Sequence, residues 1–264
     1  MIYEFKKFWQ DYVPYKLHPE DHKSIRNHDS KKIVHFDLET INKKYSQNLK
    51  DDRNNENFQS SFDPKAIHTN MFCKSFIGNI ENSKIIILYG NPGLKLGDYQ
   101  DEHQDLPYID ILKKNLNFDS DSFFPLDEVS HNTGGYRYWK IGNRFKKIIE
   151  QYSLIKSLKY HESFKKIKNT VCVLQSIGYH STKTPYFKPE DLPSSIMTQR
   201  LLHEYLLPKA MKKEIFIFSW RQSNFWNLKE EENVLIRNVK SARNSYFSEY
   251  EQNRIVNFLK DADF

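Results

Sequence analysis

Four apolar runs constrain this chain more than any other feature in it. Lys84 to Tyr89, Thr170 to Ile177, Glu214 to Ser219 and Asn233 to Val239 are short and close to continuously apolar. An alternating run marks a strand with one wet face, whereas a continuous one marks a strand buried on both. Helical stretches separate the runs, "YWKIGNRFKKIIEQYSLIKSLKY" from Tyr138 and "SSIMTQRLLHEYLLPKAMKK" from Ser194. Buried strands alternating with helices predict an α/β fold, a three-layer α/β/α sandwich with a four-stranded parallel sheet. Hydrophobic content is only 38%, but 19 Phe and 16 Tyr can fill the core, because each aromatic ring buries a large area.

In an open parallel sheet, ligands bind outside the carboxyl ends of the strands. The residues there read "YGNPG", "GYHSTK", "SWRQSNFW" and "KSARNSYFS". They combine turn formers, amides, hydroxyls, a His, arginines and aromatics, a set suited to something polar, flat and anionic. The carboxylates of a two-metal nuclease are missing from these ends. The first is the most pointed: the aliphatic run Ile85 to Leu88 ends in a glycine-flanked turn with one amide, Asn91, at its tip.

The rest of the chain is polar. Ile2, Phe5, Trp9 and Tyr12 fall at helical spacing and predict a short amphipathic helix. From Pro14 to Pro64 the composition is rich in Asn, Asp, Lys and His, and "DDRNNEN" (51–57) is the expected point of disorder. Residues 1–71 therefore read as an N-terminal helical and loop extension, and 72–264 as the α/β domain. An insertion at about 94–134 carries a helix near "LPYIDILKKNL". There is no internal repeat. Net charge is 40 − 34 = +6 with a pI near 9.0, which suits a polyanionic partner. Cys73 and Cys172 match no metal or redox spacing and read as buried thiols in a reducing compartment. The sequence shows no signal peptide and no apolar run near membrane-spanning length, so a cytoplasmic protein without a membrane partner is expected.

The four strand ends, in order, resemble motifs of the uracil-DNA glycosylase superfamily. "YGNPG" is similar to the G-x-N-P-G water-positioning loop of its mismatch-specific branch, and "RNSYFS" to the N-P-S-type motif that closes over a flipped nucleotide. A poorly characterised bacterial branch is nearer still, with N-P-G, G-G-x-x-W-W, P-Y-H-S and N-P-x-I-S in series. Here these correspond to Asn91-Pro92-Gly93, "TGGYRYW" from Thr133 to Trp139, "GYHS" from Gly178 to Ser181 and "NSYFS" from Asn244 to Ser248. Gly178 and Ser245 stand where that pattern has Pro. Asn244 stands where the fastest uracil-removing enzymes carry His.

The resemblance spans about residues 72–250 and implies hydrolysis of a base–sugar bond in DNA without metal or cofactor. Catalytic roles would fall to Asn91, His180 and Asn244, with Asn91 holding the attacking water. Tyr89, Gly90, Pro92, Gly93, Gln175, Tyr179 and Ser181 would contact the nucleotide, Gln175 reading the base edge. Lys183, Arg221, Arg243 and Ser245 would meet phosphates, while Tyr246 and Phe247 supply aromatics near the duplex. Each residue also has a plainer role open to it: a turn Asn, a core Gln, a structural His, a surface cation. DNA is the expected partner and a monomer the expected state. With no lysine at a strand end to act as an amine nucleophile, strand cleavage is not expected. A bulky modified pyrimidine is a candidate base.

Two other readings compete. The same fold could hold DNA or a nucleotide with its chemistry lost. Alternatively "IVHFDLETIN" (33–42) resembles the first motif of DEDD exonucleases, with Asp37 and Glu39 holding Mg²⁺ and Asp119 of "NLNFD" as a further ligand. The third motif of that class, a His or Tyr shortly before an Asp near the C-terminus, is absent.

Overall fold

Each of the four apolar runs becomes a strand in the computed structural model. It describes residues 1–25, 32–35, 39, 62–94, 96–131, 133–221, 223–237 and 246–262. Short N-terminal pieces come first: helices α1 (Ile2–Gln10) and α2 (Pro19–Ile25), and strands β1 (Ile33–Val34) and β2 (Ile67–His68), which pair in parallel. The main sheet contains β3 (Phe76–Ile77), β4 (Ile85–Tyr89), β5 (Val171–Gln175), β6 (Phe216–Ser219) and β7 (Val234–Ile236), in the order β3-β5-β4-β6-β7. The neighbours among β5, β4, β6 and β7 are parallel.

The expected sheet of four parallel strands is corrected by β3, which adds an antiparallel edge and makes the sheet five-stranded and mixed. β3 has two residues, Phe76 opposite Leu174 and Ile77 opposite Val173, too few to leave a period in the sequence.

β4 shows why its run had to be continuously apolar. Ile85 and Ile87 join one hydrophobic core, while Ile86 and Leu88 join another. Side chains alternate along a strand, so β4 serves both. The first core is built with α4 (Leu106–Leu116), α5 (Lys146–Lys156), α6 (Tyr160–Thr170) and α8 (Glu249–Asp261), through residues such as Leu112, Ile148, Ile167 and Leu259. The second takes Leu201 from α7 (Pro193–Leu201), and with it Phe5, Trp9, Tyr12, Ile25 and Ile67. The described part of the N-terminal extension thus shares a core with the sheet.

Helix limits follow local chemistry. Asp105 caps α4, its Oδ1 accepting from Tyr108 N–H at 3.2 Å. The segment expected as one helix from Tyr138 is broken. A π-helical turn (Arg137–Ile141) leads to Gly142, and Ser157 ends α5 in the left-handed region at φ 52°. α7 continues through a π-helical turn (Leu202–Leu206) that ends two residues before Pro208, whose missing N–H interrupts the regular ladder. α3 (Leu96–Gln104) lies in the insertion, ahead of α4. Among the described residues, no helix is long and apolar enough to cross a membrane.

Candidate functional site

Taken by chain order, the four parallel strands lie second-first-third-fourth across the sheet, so connections leave β4 on one side and arrive at β6 on the other. Such a reversal opens a crevice outside the carboxyl ends of the strands. A cavity of about 560 Å³ lies at these ends, lined by Tyr89 to Leu94 after β4, Gln175 and His180 to Thr184 after β5, and Arg221 after β6. Its remaining wall includes Lys74, Asp98, Tyr108 and Trp139.

Asn91 is fixed at this mouth. Its Nδ2 donates to Ser181 Oγ at 2.9 Å and to the Ser181 carbonyl at 3.2 Å. A carbonyl only accepts, so the amide orientation is set and Oδ1 is the accepting end left over. Ser181 is fully buried and donates onward to Lys183 O at 2.6 Å. The turn itself is pinned by Ser176 Oγ and Ile177 N–H, which both donate to Gly90 O, at 2.8 and 2.9 Å. Gly93 takes φ +73°, a conformation open to glycine at little cost.

Gln175 ends β5 opposite Tyr89 and is 3% exposed. Its Oε1 is buried and accepts no hydrogen bond. A buried acceptor without a donor costs free energy, so this amide is an unfilled position in the cavity wall.

His180 is held from two sides. Nδ1 donates to the Gly93 carbonyl at 2.6 Å, and Nε2 lies 3.2 Å from Glu102 Oε1, off the line of a good hydrogen bond. Glu102, fully buried on α3, also accepts from Phe72 N–H at 2.8 Å and from the Lys74 ammonium. Burial pushes the Glu102 carboxyl up, but Lys74 and then His180 outweigh it and hold it down at about 2. Burial also pulls Lys74 down, yet Glu102 beside it keeps the amine well above its ordinary value. Lys74 Nζ makes a second bond to Tyr108 Oη at 3.2 Å. The result is an ammonium ion set in the wall of the cavity.

Two further details shape the walls. Tyr89 Oη donates to Tyr138 Oη at 3.1 Å, and the Arg221 guanidinium sits 5.2 Å from the Tyr89 ring centre. In the "TGGYRYW" segment, Thr133 Oγ1 caps a short helical turn by accepting from Tyr136 N–H at 3.0 Å. Gly134 N–H donates to Asp98 Oδ1 at 3.0 Å, and a Cβ at Gly134 would come within 2.9 Å of that oxygen.

Most of the residues expected from sequence meet here: Tyr89, Gly90, Asn91, Pro92, Gly93, Gln175, His180, Ser181, Lys183 and Arg221 line one cavity. Two do not behave as expected. Tyr179 is 1% exposed and turns away, donating to Asp21 Oδ2 at 2.6 Å and accepting from His18 N–H at 2.9 Å. Phe247 is 3% exposed and packs on Trp220, ring centres 4.6 Å apart, so it belongs to the core and not to a wedge. Its neighbour Tyr246 is 52% exposed, with the Arg144 guanidinium 4.2 Å from its ring centre. Gly178 is explained by crowding, since a Cβ there would lie 2.5 Å from both Cys73 Sγ and Ser75 Oγ. Cys73 and Cys172 are both buried free thiols.

Arg243, Asn244, Ser245, Asp37 and the 51–57 stretch lie outside the described residues. Glu39 is exposed, and neither it nor Asp119 lines the cavity. Among the described residues, no group of three or more His, Cys, Asp or Glu could hold a metal ion. Sequence reasoning missed Lys74, Asp98, Glu102 and Tyr108. Lys74 precedes a two-residue strand, and Asp98 and Glu102 sit in the polar run "LGDYQDEHQ", which presents no apolar stripe to reveal a helix. No protein-family model, curated protein or solved structure matches the chain.

Proposed function

We propose that this chain is a DNA glycosylase of the uracil-DNA glycosylase type. It hydrolyses the N-glycosidic bond of a damaged or modified base, with a bulky pyrimidine as the favoured substrate, and needs no metal. The observation that carries this reading is Asn91. Its amide nitrogen is locked to Ser181, leaving Oδ1 to accept a hydrogen from a water at the cavity mouth. Cleavage passes through a cationic sugar, so a held water and a stabilised leaving base suffice in principle. An amide cannot deprotonate water, so the reaction depends on positioning and on the leaving group, and is slow. A buried Gln175 acceptor without a donor fits a base edge that carries an N–H.

The same reading takes the sheet as the middle of a three-layer α/β/α sandwich built on four parallel strands, supported by the two cores that β4 serves. It takes DNA as the partner of a monomeric cytoplasmic protein, with Lys183 and Arg221 near the phosphates and Asn244 closing over the nucleotide. Lys74, held as an ammonium by Glu102, is unsuited to attack as an amine, which favours a monofunctional enzyme that leaves an abasic site.

The test is an oligonucleotide panel carrying uracil, mismatched thymine and modified cytosines, incubated in EDTA and developed with alkali. Alkali-labile product is expected on at least one member, reduced about 100-fold or more in Asn91→Ala. Absence of product on every member overturns the reading. Shortening that requires Mg²⁺ would transfer the chemistry to Asp37 and Glu39, and inactivity together with salt-dependent DNA binding would identify a binding module.

A further inference from the structure

Breaking the base–sugar bond leaves an electron pair on the departing base, and the ordinary solution, a histidine beside the base, is missing from the second motif. The cavity holds another cation. Lys74 Nζ is an ammonium with three donors. Two are spent, on Glu102 and on Tyr108 Oη. The third has no partner among the described residues, and Lys74 lines the cavity together with the open acceptor of Gln175.

We propose that Lys74 is the group that stabilises the departing base anion, and that the Lys74–Gln175 pair makes this cavity selective for pyrimidine-type rings bearing negative charge on a carbonyl oxygen and an N–H on an adjacent edge. The assignment rests on the glycosylase reading for its place in the reaction. In the step, the C1′–N bond breaks and its electron pair moves into the ring, onto a carbonyl oxygen facing Lys74. Water supplies the oxygen of the new C1′–O bond, and its proton passes to bulk solvent, from which the base anion is protonated once it has left the cavity. Lys74 keeps its own proton and acts through charge and one N–H. Glu102 is a positioning residue, since it touches no substrate and fixes where the ammonium points.

The arrangement explains why so strong a cation is buried beside a cavity. A lysine that served only the fold would spend all its donors inside the protein, because a buried unspent donor is costly. It also gives α3 and the insertion a purpose. Glu102 comes from α3 and reaches the sheet ends through Phe72 N–H, Lys74 and His180.

The test uses full-length protein and two free pyrimidines in calorimetric titration. Barbiturate is already an anion at neutral pH, and uracil is its neutral counterpart. The wild type is expected to prefer barbiturate, and Lys74→Met is expected to weaken barbiturate about tenfold or more while leaving uracil little changed. Because Lys74→Met strands the Glu102 charge and can unfold the chain, the comparison is repeated in a neutral background, Glu102→Gln against Lys74→Met/Glu102→Gln. Barbiturate binding that is absent from the wild type, or equal with and without Lys74, overturns the assignment. On any oligonucleotide that is cleaved, the rate defect of the Lys74 variant should shrink as the leaving base is made more acidic, for example with 5-fluorouracil. A merely structural defect would be the same for every base. An inactive oligonucleotide panel beside Lys74-dependent barbiturate binding would remove the glycosylase and keep the anion site, so the two failures are separable.

Discussion

Tyr179 and His180 are neighbours in the chain and enter two buried polar networks of opposite character. Tyr179 joins Asp21, which accepts from the Tyr179 hydroxyl at 2.6 Å and from Ser194 N–H at 2.8 Å. His18 completes this side. Its N–H donates to Tyr179 Oη, and its ring donates through Nε2 to Phe8 O at 2.8 Å while stacked on Phe8 at 3.9 Å. Both donors to Asp21 are neutral, and burial pushes its carboxyl above the ordinary range. His180 joins Glu102, whose donors include an ammonium and whose carboxyl is held at about 2. The first network ties the N-terminal segment to the end of β5. The second faces the cavity with an unspent N–H on Lys74. A network closed by neutral donors is a clasp, and one that leaves a charged donor open to the cavity is the proposed site, although Tyr179 and His180 are adjacent in sequence.

The largest expected effect breaks the charged network. Lys74→Met leaves the Glu102 carboxylate buried without its ammonium, which should cost about 3–5 kcal/mol in denaturant unfolding. Adding Glu102→Gln should return a large part of that loss, because the remaining partners then hold a neutral amide. A double variant no more stable than Lys74→Met alone would mean that the network is held by packing and not by charge.

Asp21→Ala tests the clasp. It leaves the Tyr179 hydroxyl and Ser194 N–H buried without their acceptor, and should cost about 1–3 kcal/mol. Barbiturate affinity should stay unchanged, since neither Asp21 nor Tyr179 lines the cavity. A matching loss of barbiturate binding would show that the two networks are coupled through the Tyr179–His180 peptide, and the distinction between clasp and site would fail.

What could be read in the sequence was whatever left a local signature. The four strands announced themselves because burial on both faces forbids polar interruptions, and a turn such as "YGNPG" marks a strand end unaided. Asn91, Gln175 and His180 became candidates because the carboxyl ends of parallel strands converge, so position along the chain implied a shared place in space. Glu102 and Lys74 have no such coupling. They are 28 residues apart in sequence and meet only because α3 folds back over the residues leading into β3. An ion pair of that kind has no period and no motif. Tyr179 failed for the complementary reason. It follows β5 as expected, but in the bend after the strand its hydroxyl is claimed by Asp21 and His18, while His180 beside it is claimed by Gly93 and Glu102 at the cavity. Phe247 followed the same logic, its ring claimed by Trp220 and Phe218.

Acid should sharpen the contrast in the most delicate way, because the two carboxyl groups are shifted in opposite directions. Glu102 is held below its ordinary value of 4.5, so in the folded state it releases its proton more readily than in the unfolded chain. Its contribution is present above about pH 4.5 and is lost as the pH falls toward 2. Asp21 is raised above its ordinary value of 3.8, so its contribution is present below that value and is lost as the pH rises through its folded value. Lowering the pH should therefore narrow the stability difference between wild type and Glu102→Gln, and widen that between wild type and Asp21→Asn. Over one pH unit each change amounts to no more than about 1.4 kcal/mol, the limit set by a single proton. Urea unfolding of the three proteins at successive pH values reads both differences. If they move in the same direction, Glu102 lacks the protection of a cation, and the ammonium on which the anion site depends is not there.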